Sequence, residues 1–150
     1  MVDAMRVKPE EKAELRRSFE FGAYVMITQY LVKMYGLNEL DRFARFWAEM
    51  AAEGRRKIVA KSKKEFLDLE AKIEKVWVDR NVKRLDEKGY VGVVDACPLR
   101  KAINASRGEL PKDYFCDRIC ATIYPDGYRL LGLDGSVRKS EKGCRVEIVL

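Results

Sequence analysis

The spacing of apolar residues changes near residue 75, and this change constrains the fold more than any other feature of the sequence. Before it, apolar residues such as Leu40, Phe43 and Trp47 recur every three or four positions, which is typical of helices buried on one face. After it, valines alternate with charged or aromatic neighbours, and residues 90–96 are rich in β-forming types. The pattern therefore predicts a helical part, residues 1–73, followed by an α+β part, residues 74–150.

Cap and turn residues divide the two parts into elements. Pro9 begins a first helix, Asn38 caps a second, and Ser62 begins a third with a capping box. The second part is predicted to contain a hairpin over residues 75–96, a helix after Cys97-Pro98, a helix from Pro111 to about Pro125, and strands near residues 128–133 and 144–150. The element order is ααα-ββ-αα-ββ. It predicts a single α+β domain over residues 1–150, in which N-terminal helices pack with a four-stranded antiparallel sheet.

The first helix is apolar on nearly every side in its middle, residues 19–27. A helix of this kind is buried on most of its faces. We therefore expect it to be covered by the rest of its own domain or by a second subunit.

Composition limits the classes of protein to which a chain of 150 residues can belong. The formal net charge is +6, from 30 basic and 24 acidic residues, but the two signs are interleaved along the chain. This favours a solvated charged surface over a nucleic-acid footprint, so nucleic acid is not an expected partner. Amide side chains are scarce while lysine, arginine and glutamate are abundant, which is typical of proteins from thermophiles.

No segment is expected to enter a membrane. The most apolar stretch, residues 21–32, is much shorter than the roughly 20 residues that cross a bilayer. The first residues also lack the apolar region of a secretory signal. We therefore expect a cytoplasmic protein.

The α+β part contains four cysteines, and the chain has no histidine. Cys97 precedes a proline at a helix start, Cys116 and Cys120 share one helical face, and Cys144 begins a strand whose alternate residues face the core. Three interpretations stay open. The cysteines share a metal or cluster, or Cys97 or Cys144 forms a disulfide with a helix cysteine, or all four are buried free thiols.

The first interpretation underlies the predicted function. A ligand set of thiolates without histidine narrows the metal to zinc or an iron–sulfur cluster. The helix start at Cys97 also favours a thiolate at that position. We predict that Cys97, Cys116, Cys120 and Cys144 bind Zn²⁺, with a [4Fe-4S] cluster as the alternative. The predicted function is a cysteine-ligated metal- or cluster-binding domain that binds or senses a small molecule.

Three charged residues are weaker candidates for chemistry. Glu20 lies within the apolar first helix, where burial would raise the pKa of its carboxyl and suit a general base. Arg100 and Arg118 flank the cysteines and could hold a carboxylate substrate through two hydrogen bonds. The alternatives are an edge residue that reaches solvent for Glu20 and ordinary surface ion pairs for the arginines.

The segments around the cysteines resemble a known family. Residues 94–102 (VDACPLRKA), 114–116 (YFC) and 143–145 (GCR) are similar to L-2-amino-thiazoline-4-carboxylic acid hydrolase-like proteins and, more distantly, to vinyl-4-reductase small-molecule-binding domains. The resemblance implies that Cys97, Cys116 and Cys144 match the cysteines of the family and that Cys120 is a further ligand. It also implies an α+β fold, a small-molecule ligand and a homodimer.

Two other functions are alternatives. The resemblance implies a metal-assisted hydrolase of the aminothiazoline-carboxylate type, in which an open metal position acts as a Lewis acid. The basic charge leaves a nucleic-acid-binding protein as the less favoured choice, because aromatic and basic residues do not cluster together.

Overall fold

The computed structural model describes residues 9–106, 108 and 110–150. Three long helices come first: α1 (Pro9–Tyr35), α2 (Leu37–Lys61) and α3 (Lys63–Val78). A hairpin of β1 (Asn81–Asp86) and β2 (Gly89–Val94) is followed by α4 (Pro98–Ala105), a π-helical turn (Phe115–Cys120) and α5 (Ala121–Arg129). Strands β3 (Asp134–Lys139) and β4 (Cys144–Val149) complete the order. The predicted α+β class is confirmed.

The four strands form one antiparallel sheet in the order β1-β2-β4-β3. Gly89 follows the turn of the first hairpin with φ 139°, and a side chain there would collide with the backbone carbonyl of Ile148 on β4. Only glycine allows the two strands to approach at this point. Helices α3 and α5 contact the sheet, whereas α1 packs against α2 and α4.

The helix caps agree with the sequence in one case and differ in another. The Ser62 hydroxyl accepts a hydrogen bond from the Glu65 amide at 3.2 Å, as the capping box predicts. The predicted cap at Asn38 is wrong, because α2 begins at Leu37 after Gly36, whose φ is 82°. The tight backbone at glycine brings α1 and α2 close without a side-chain cap.

The change of apolar spacing near residue 75 predicts an end for α3 that is too early. The helix continues to Val78, because Leu67, Ala71 and Val78 share one buried helical face. Asp79 then takes a left-handed conformation with φ 55° and ends the helix. The predicted hairpin is therefore shorter, and its first strand begins at Asn81.

Two predictions about the C-terminal part are also wrong. Pro125 lies inside α5 and does not end a helix, because α5 continues to bury Tyr128 against α3 and the sheet. The strand predicted near residues 128–133 is the end of this helix and a turn. The strand itself is β3, which begins at Asp134, just after the predicted range.

The buried side chains form two clusters. One lies among α1, α2, α4 and the π-helical turn, and the other lies among α3, α5 and the sheet. Cys120 contacts both clusters, so the π-helical turn sits where they meet. Within the described residues, no helix is long and apolar enough to cross a membrane.

Candidate functional site

A buried ion pair lies beneath α5. Arg80 is 1% exposed, and its Nη1 lies 2.9 Å from Oε2 of Glu74. The Tyr124 hydroxyl donates a hydrogen bond to Glu74 Oε1 at 2.9 Å and accepts one from Arg80 Nη2 at 3.2 Å. The Arg80 guanidinium also lies 5.1 Å from the centre of the Tyr124 ring, within the range of a cation–π contact.

The end of α3 explains how these groups meet. Glu74 lies on the helical face that also carries Leu67 and Val78, so its carboxylate points into the core. After the left-handed residue Asp79, the amide of Arg80 bonds back to the carbonyl of Glu74 at 3.2 Å. Burial raises the pKa of the Glu74 carboxyl, although Arg80 and Tyr124 act in the opposite direction.

A second buried carboxylate lies one turn earlier in α3. Glu70 accepts hydrogen bonds from Arg55 Nε at 2.5 Å and from the Tyr128 hydroxyl at 3.2 Å. Glu70 is 2% exposed, so both of its oxygens are paired away from water. Two carboxylates on one helix are thus stabilised by one arginine and one tyrosine each.

These groups border a cavity of about 400 Å³, which we call the acidic cavity. Its polar lining consists of Glu20, Arg55, Glu70, Glu74 and Cys120. Its aromatic lining consists of Tyr24, Trp47, Trp77, Phe115, Tyr124 and Tyr128. An apolar cavity of this size with a few convergent polar groups is the usual form of a small-molecule site.

One wall of the acidic cavity is an aromatic cluster. The rings of Tyr24 and Trp47 stack in parallel, with their centres 5.1 Å apart. Trp77 meets both of them edge-on, at 6.0 Å from Tyr24 and 6.3 Å from Trp47. The two tryptophans of the chain therefore both line this cavity.

A smaller cavity of about 160 Å³ adjoins the acidic cavity, and we call it the thiol cavity. Its lining includes all four cysteines together with Arg80, Lys139 and the shared residues Trp77, Cys120 and Tyr124. Those three shared residues also line the acidic cavity, so they form a common wall. The structure therefore places the four cysteines around one cavity.

The four cysteines reach the thiol cavity from three structural positions. Cys97 is the N-cap of α4 and its Sγ accepts a hydrogen bond from the Arg100 amide at 3.5 Å. Cys116 and Cys120 lie in the π-helical turn. Cys144 begins β4, where Arg80 Nη2 donates to its Sγ at 3.7 Å.

The four thiols differ in acidity. A hydrogen bond from Cys120 lowers the pKa of Cys116, with a further contribution from the Arg100 guanidinium. The same hydrogen bond and burial raise the pKa of Cys120. Burial raises the pKa values of Cys97 and Cys144, so the thiolate expected at the helix start of Cys97 is not favoured.

The predicted cysteine-ligated metal domain is wrong. Among the residues that the structure describes, no group of three or more histidine, cysteine, aspartate or glutamate side chains is arranged to hold a metal ion. Cys97, Cys116, Cys120 and Cys144 border a common cavity, but they do not form a ligand set for Zn²⁺ or for a [4Fe-4S] cluster. The physical reason is that a helix cap, a helical turn and a strand start hold the four side chains, and these positions do not converge on one ion.

The three charged candidates lie in different places. Glu20 is exposed on α1 at the edge of the acidic cavity, and it has no ion pair with any described residue. Arg100 Nε lies 2.7 Å from Oδ1 of Asp113, and Arg118 Nη2 lies 2.6 Å from Oδ2 of Asp41. Both arginines are therefore engaged in ion pairs within the chain.

The sequence reasoning missed the buried ionic groups Glu70, Glu74 and Arg80. A signal was present, because Phe66, Glu70, Glu74 and Val78 follow one another at intervals of four, which places both carboxylates on the apolar face of α3. The partners could not be found in the same way. Arg55 and Tyr124 approach from other helices, and only the packed fold brings them together.

The described residues form a small α+β domain in which the acidic cavity and the thiol cavity share one wall. No protein-family model matches the sequence, and no curated protein matches it. Among solved structures, the chain is similar to that of a trafficking protein particle complex subunit 3 from Naegleria fowleri covalently bound to palmitic acid. The two sequences are 16% identical, the comparison covers 94% of this chain and 96% of that chain, and the TM-score is 0.47.

Proposed function

We propose that the chain binds a small organic cation with an apolar body in the acidic cavity. The observation that carries the proposal is the charge of the lining: three carboxylates and one guanidinium border an aromatic cavity in a chain whose net charge is +6. A locally acidic site in a basic protein favours ligands of positive charge and disfavours anions.

The individual charges support a place for a cation at one end of the cavity. Arg55 compensates Glu70, and Arg80 compensates Glu74 from behind the wall. Glu20 has no such partner among the described residues, and it lies next to Tyr24 at the cavity edge. A ligand ammonium group near Glu20 would complete the charge balance of the lining.

The aromatic wall supports the rest of the ligand. The faces and edges of Tyr24, Trp47 and Trp77 offer apolar contact area and attract cations through their ring quadrupoles. The cavity volume of about 400 Å³ accommodates a molecule with a single ring and a short chain. A small-molecule ligand is also what the resemblance to small-molecule-binding domains implies. That resemblance stays a prediction, and so does the cytoplasmic localisation.

Tryptophan fluorescence tests the proposal, because both tryptophans line the acidic cavity. Three probes of matched shape are titrated: 4-phenylbutylamine, 4-phenylbutanol and 4-phenylbutyrate. We expect the amine to change the emission saturably, the alcohol to bind more weakly, and the carboxylate to bind least. Equal or tighter binding of the carboxylate, or no saturable change with any of the three probes, would overturn the proposal.

A matched pair of variants locates the charge. Glu20→Gln should weaken amine binding by roughly tenfold, which corresponds to about 1.4 kcal/mol, and should leave binding of the alcohol unchanged. Glu49→Gln is the control, because Glu49 is exposed on α2 and does not line the cavity. An equal loss in both variants would mean that Glu20 acts only through the general charge of the protein.

We also propose that a second copy of the chain covers the outer face of α1. This face carries six large apolar side chains that are between 45% and 77% exposed: Leu15, Phe19, Met26, Ile27, Tyr30 and Met34. Taking about 200 Å² for a free side chain of this size, they leave on the order of 700 Å² uncovered, close to the roughly 800 Å² that one partner gives to a standard interface. Gly22 lies within the same stripe with open space around it, which permits close approach of a second helix.

Sedimentation velocity tests the dimer. We expect the wild type to sediment as a dimer at micromolar concentration and the variant Phe19→Lys/Met26→Lys to sediment as a monomer with unchanged helix content. Val76→Lys is the matched control, because Val76 is 73% exposed on α3 and shares a surface groove with Val82 and Leu85 of β1. A monomeric wild type, or equal dissociation of the control, would contradict the proposal.

A further inference from the structure

Cys116 and Cys120 belong to one π-helical turn on the wall of the thiol cavity. Residues four apart in a helical segment lie on one face, and both side chains line this cavity. The other two cysteines belong to separate elements and are held by different groups. Cys97 accepts from the backbone of α4, and Cys144 accepts from Arg80.

The surroundings of the pair distinguish its two members. The Arg100 guanidinium and the Cys120 thiol favour the thiolate of Cys116, whereas Cys120 stays protonated. An accessible thiolate next to a second thiol is the arrangement of cysteines that react with peroxides. Both side chains line the thiol cavity, which gives a small oxidant a place to enter.

We propose that Cys116 and Cys120 are a reactive dithiol, which hydroperoxides oxidise to an intramolecular disulfide. In the first step the Cys116 thiolate attacks one oxygen of hydrogen peroxide, the O–O bond breaks, and sulfenic acid and hydroxide form. In the second step the Cys120 sulfur attacks the sulfenic sulfur, the S–O bond breaks, and water leaves. Overall, two thiols and one hydrogen peroxide give one disulfide and two water molecules.

The π-helical turn is suited to the change in geometry. Side chains four apart in a helix have Cβ atoms about 5–6 Å apart, and a disulfide requires about 3.5–4.5 Å. Formation of the bond therefore requires a local shift, and a π-helical turn is a rare helical form often found at functional sites. Cys120 also borders Trp77, so the shift should alter tryptophan emission.

Peptide mapping tests the pairing directly. Cleavage after lysine and arginine places each cysteine in its own peptide, and Arg118 separates Cys116 in residues 113–118 from Cys120 in residues 119–129. After one equivalent of hydrogen peroxide and blocking of free thiols, we expect these two peptides to be joined and the other two cysteines to be alkylated. Joining of Cys97 or Cys144 to either helix cysteine, or retention of all four free thiols, would overturn the proposal.

Variants test the order of the two steps. Cys120→Ser should retain a sulfenic acid on Cys116 that dimedone traps, and Cys116→Ser should consume peroxide at least about tenfold more slowly than the wild type. Cys144→Ser is the control and should still form the disulfide. Dimedone labelling of Cys120 in place of Cys116 would contradict the assigned roles, and the wild-type mapping remains decisive if a variant does not fold.

Discussion

The acidic cavity and the thiol cavity share a wall, yet their buried polar groups are stabilised in different ways. In the acidic cavity, Glu70 and Glu74 are each paired with an arginine and a tyrosine, because an unpaired charge in the core is costly. In the thiol cavity the polar groups are cysteines, which tolerate burial with weak hydrogen bonds. The first arrangement gives a fixed lining for a ligand, and the second leaves sulfur atoms able to react.

Arg80 contacts side chains that line both cavities. Its Nη1 faces Glu74, while its Nη2 contacts Tyr124 and the Sγ of Cys144. Only Glu74 needs the positive charge of Arg80, because Glu74 is a buried carboxylate. Cys144 is a thiol with a raised pKa and does not need a compensating cation. We therefore expect loss of Arg80 to affect the acidic cavity much more than the thiol cavity.

The largest effect is predicted for Arg80→Met. This change leaves Glu74 buried without its cation, and removing one partner of a buried pair costs about 3–5 kcal/mol of unfolding free energy. Urea denaturation at neutral pH measures the loss. Part of the stability should return in Arg80→Met/Glu74→Leu, because the second change removes the unpaired charge.

The control for this prediction is Arg129→Met. Arg129 is 75% exposed in its ion pair with Asp126, so its loss should change stability by at most about 0.5 kcal/mol. A similar small effect of Arg80→Met would show that the Glu74 carboxyl is neutral in the folded protein. Charge pairing would then not distinguish the acidic cavity from the thiol cavity.

An intermediate effect is predicted for Asp113→Asn beside the thiol cavity, where Nζ of the lining residue Lys139 lies 3.5 Å from Asp113 Oδ2. Arg100 donates to both Asp113 carboxylate oxygens at 2.7 and 2.8 Å, and Asn104 donates at 2.7 Å. Loss of hydrogen bonds to the charged group should cost about 1–3 kcal/mol at pH 7. Asparagine also tolerates the left-handed backbone of Asp113, whose φ is 62°, so the change tests the charge.

The effect of Asp113→Asn should depend on pH in a defined direction. The hydrogen bonds from Arg100, followed by those from Asn104, hold the pKa of Asp113 below its ordinary value of 3.8. The stabilisation is therefore fully present above pH 3.8 and is lost as the pH falls through the folded-state pKa. Urea denaturation of both proteins at neutral and acid pH should show a shrinking difference. A constant difference in acid would contradict this explanation. Asp126→Asn is the control, because the Asp126 side chain is 39% exposed in its ion pair with Arg129.

The sequence was most informative about features that depend on local spacing. The α+β class follows from the change of period, the third helix cap from Ser62 and Glu65, and the start of α4 from Cys97-Pro98. It was least informative where partners come from distant elements. The pairs Arg55–Glu70 and Arg80–Tyr124 join different elements, and Tyr124 was assigned to the end of a helix by Pro125.

The cysteines illustrate the limit of spacing arguments. The predicted metal site groups Cys97, Cys116, Cys120 and Cys144, and all four line the thiol cavity without forming a ligand set. The sequence could not reveal the directions of the side chains, which decide between a metal site and a set of separate thiols. A helix cap, a π-helical turn and a strand start give directions that no residue interval encodes.

The smallest effect is predicted for Tyr128→Phe, which removes one hydroxyl from the acidic cavity. Glu70 keeps its ion pair with Arg55, so the carboxylate loses one of its two partners and stays compensated in charge. We expect a loss of about 0.5–1.5 kcal/mol, the usual net contribution of one hydrogen bond. Urea denaturation measures it against Tyr35→Phe, because Tyr35 is 63% exposed at the end of α1 and its hydroxyl should matter little. If Tyr128→Phe cost as much as Arg80→Met, hydrogen bonding and not charge pairing would govern the acidic cavity.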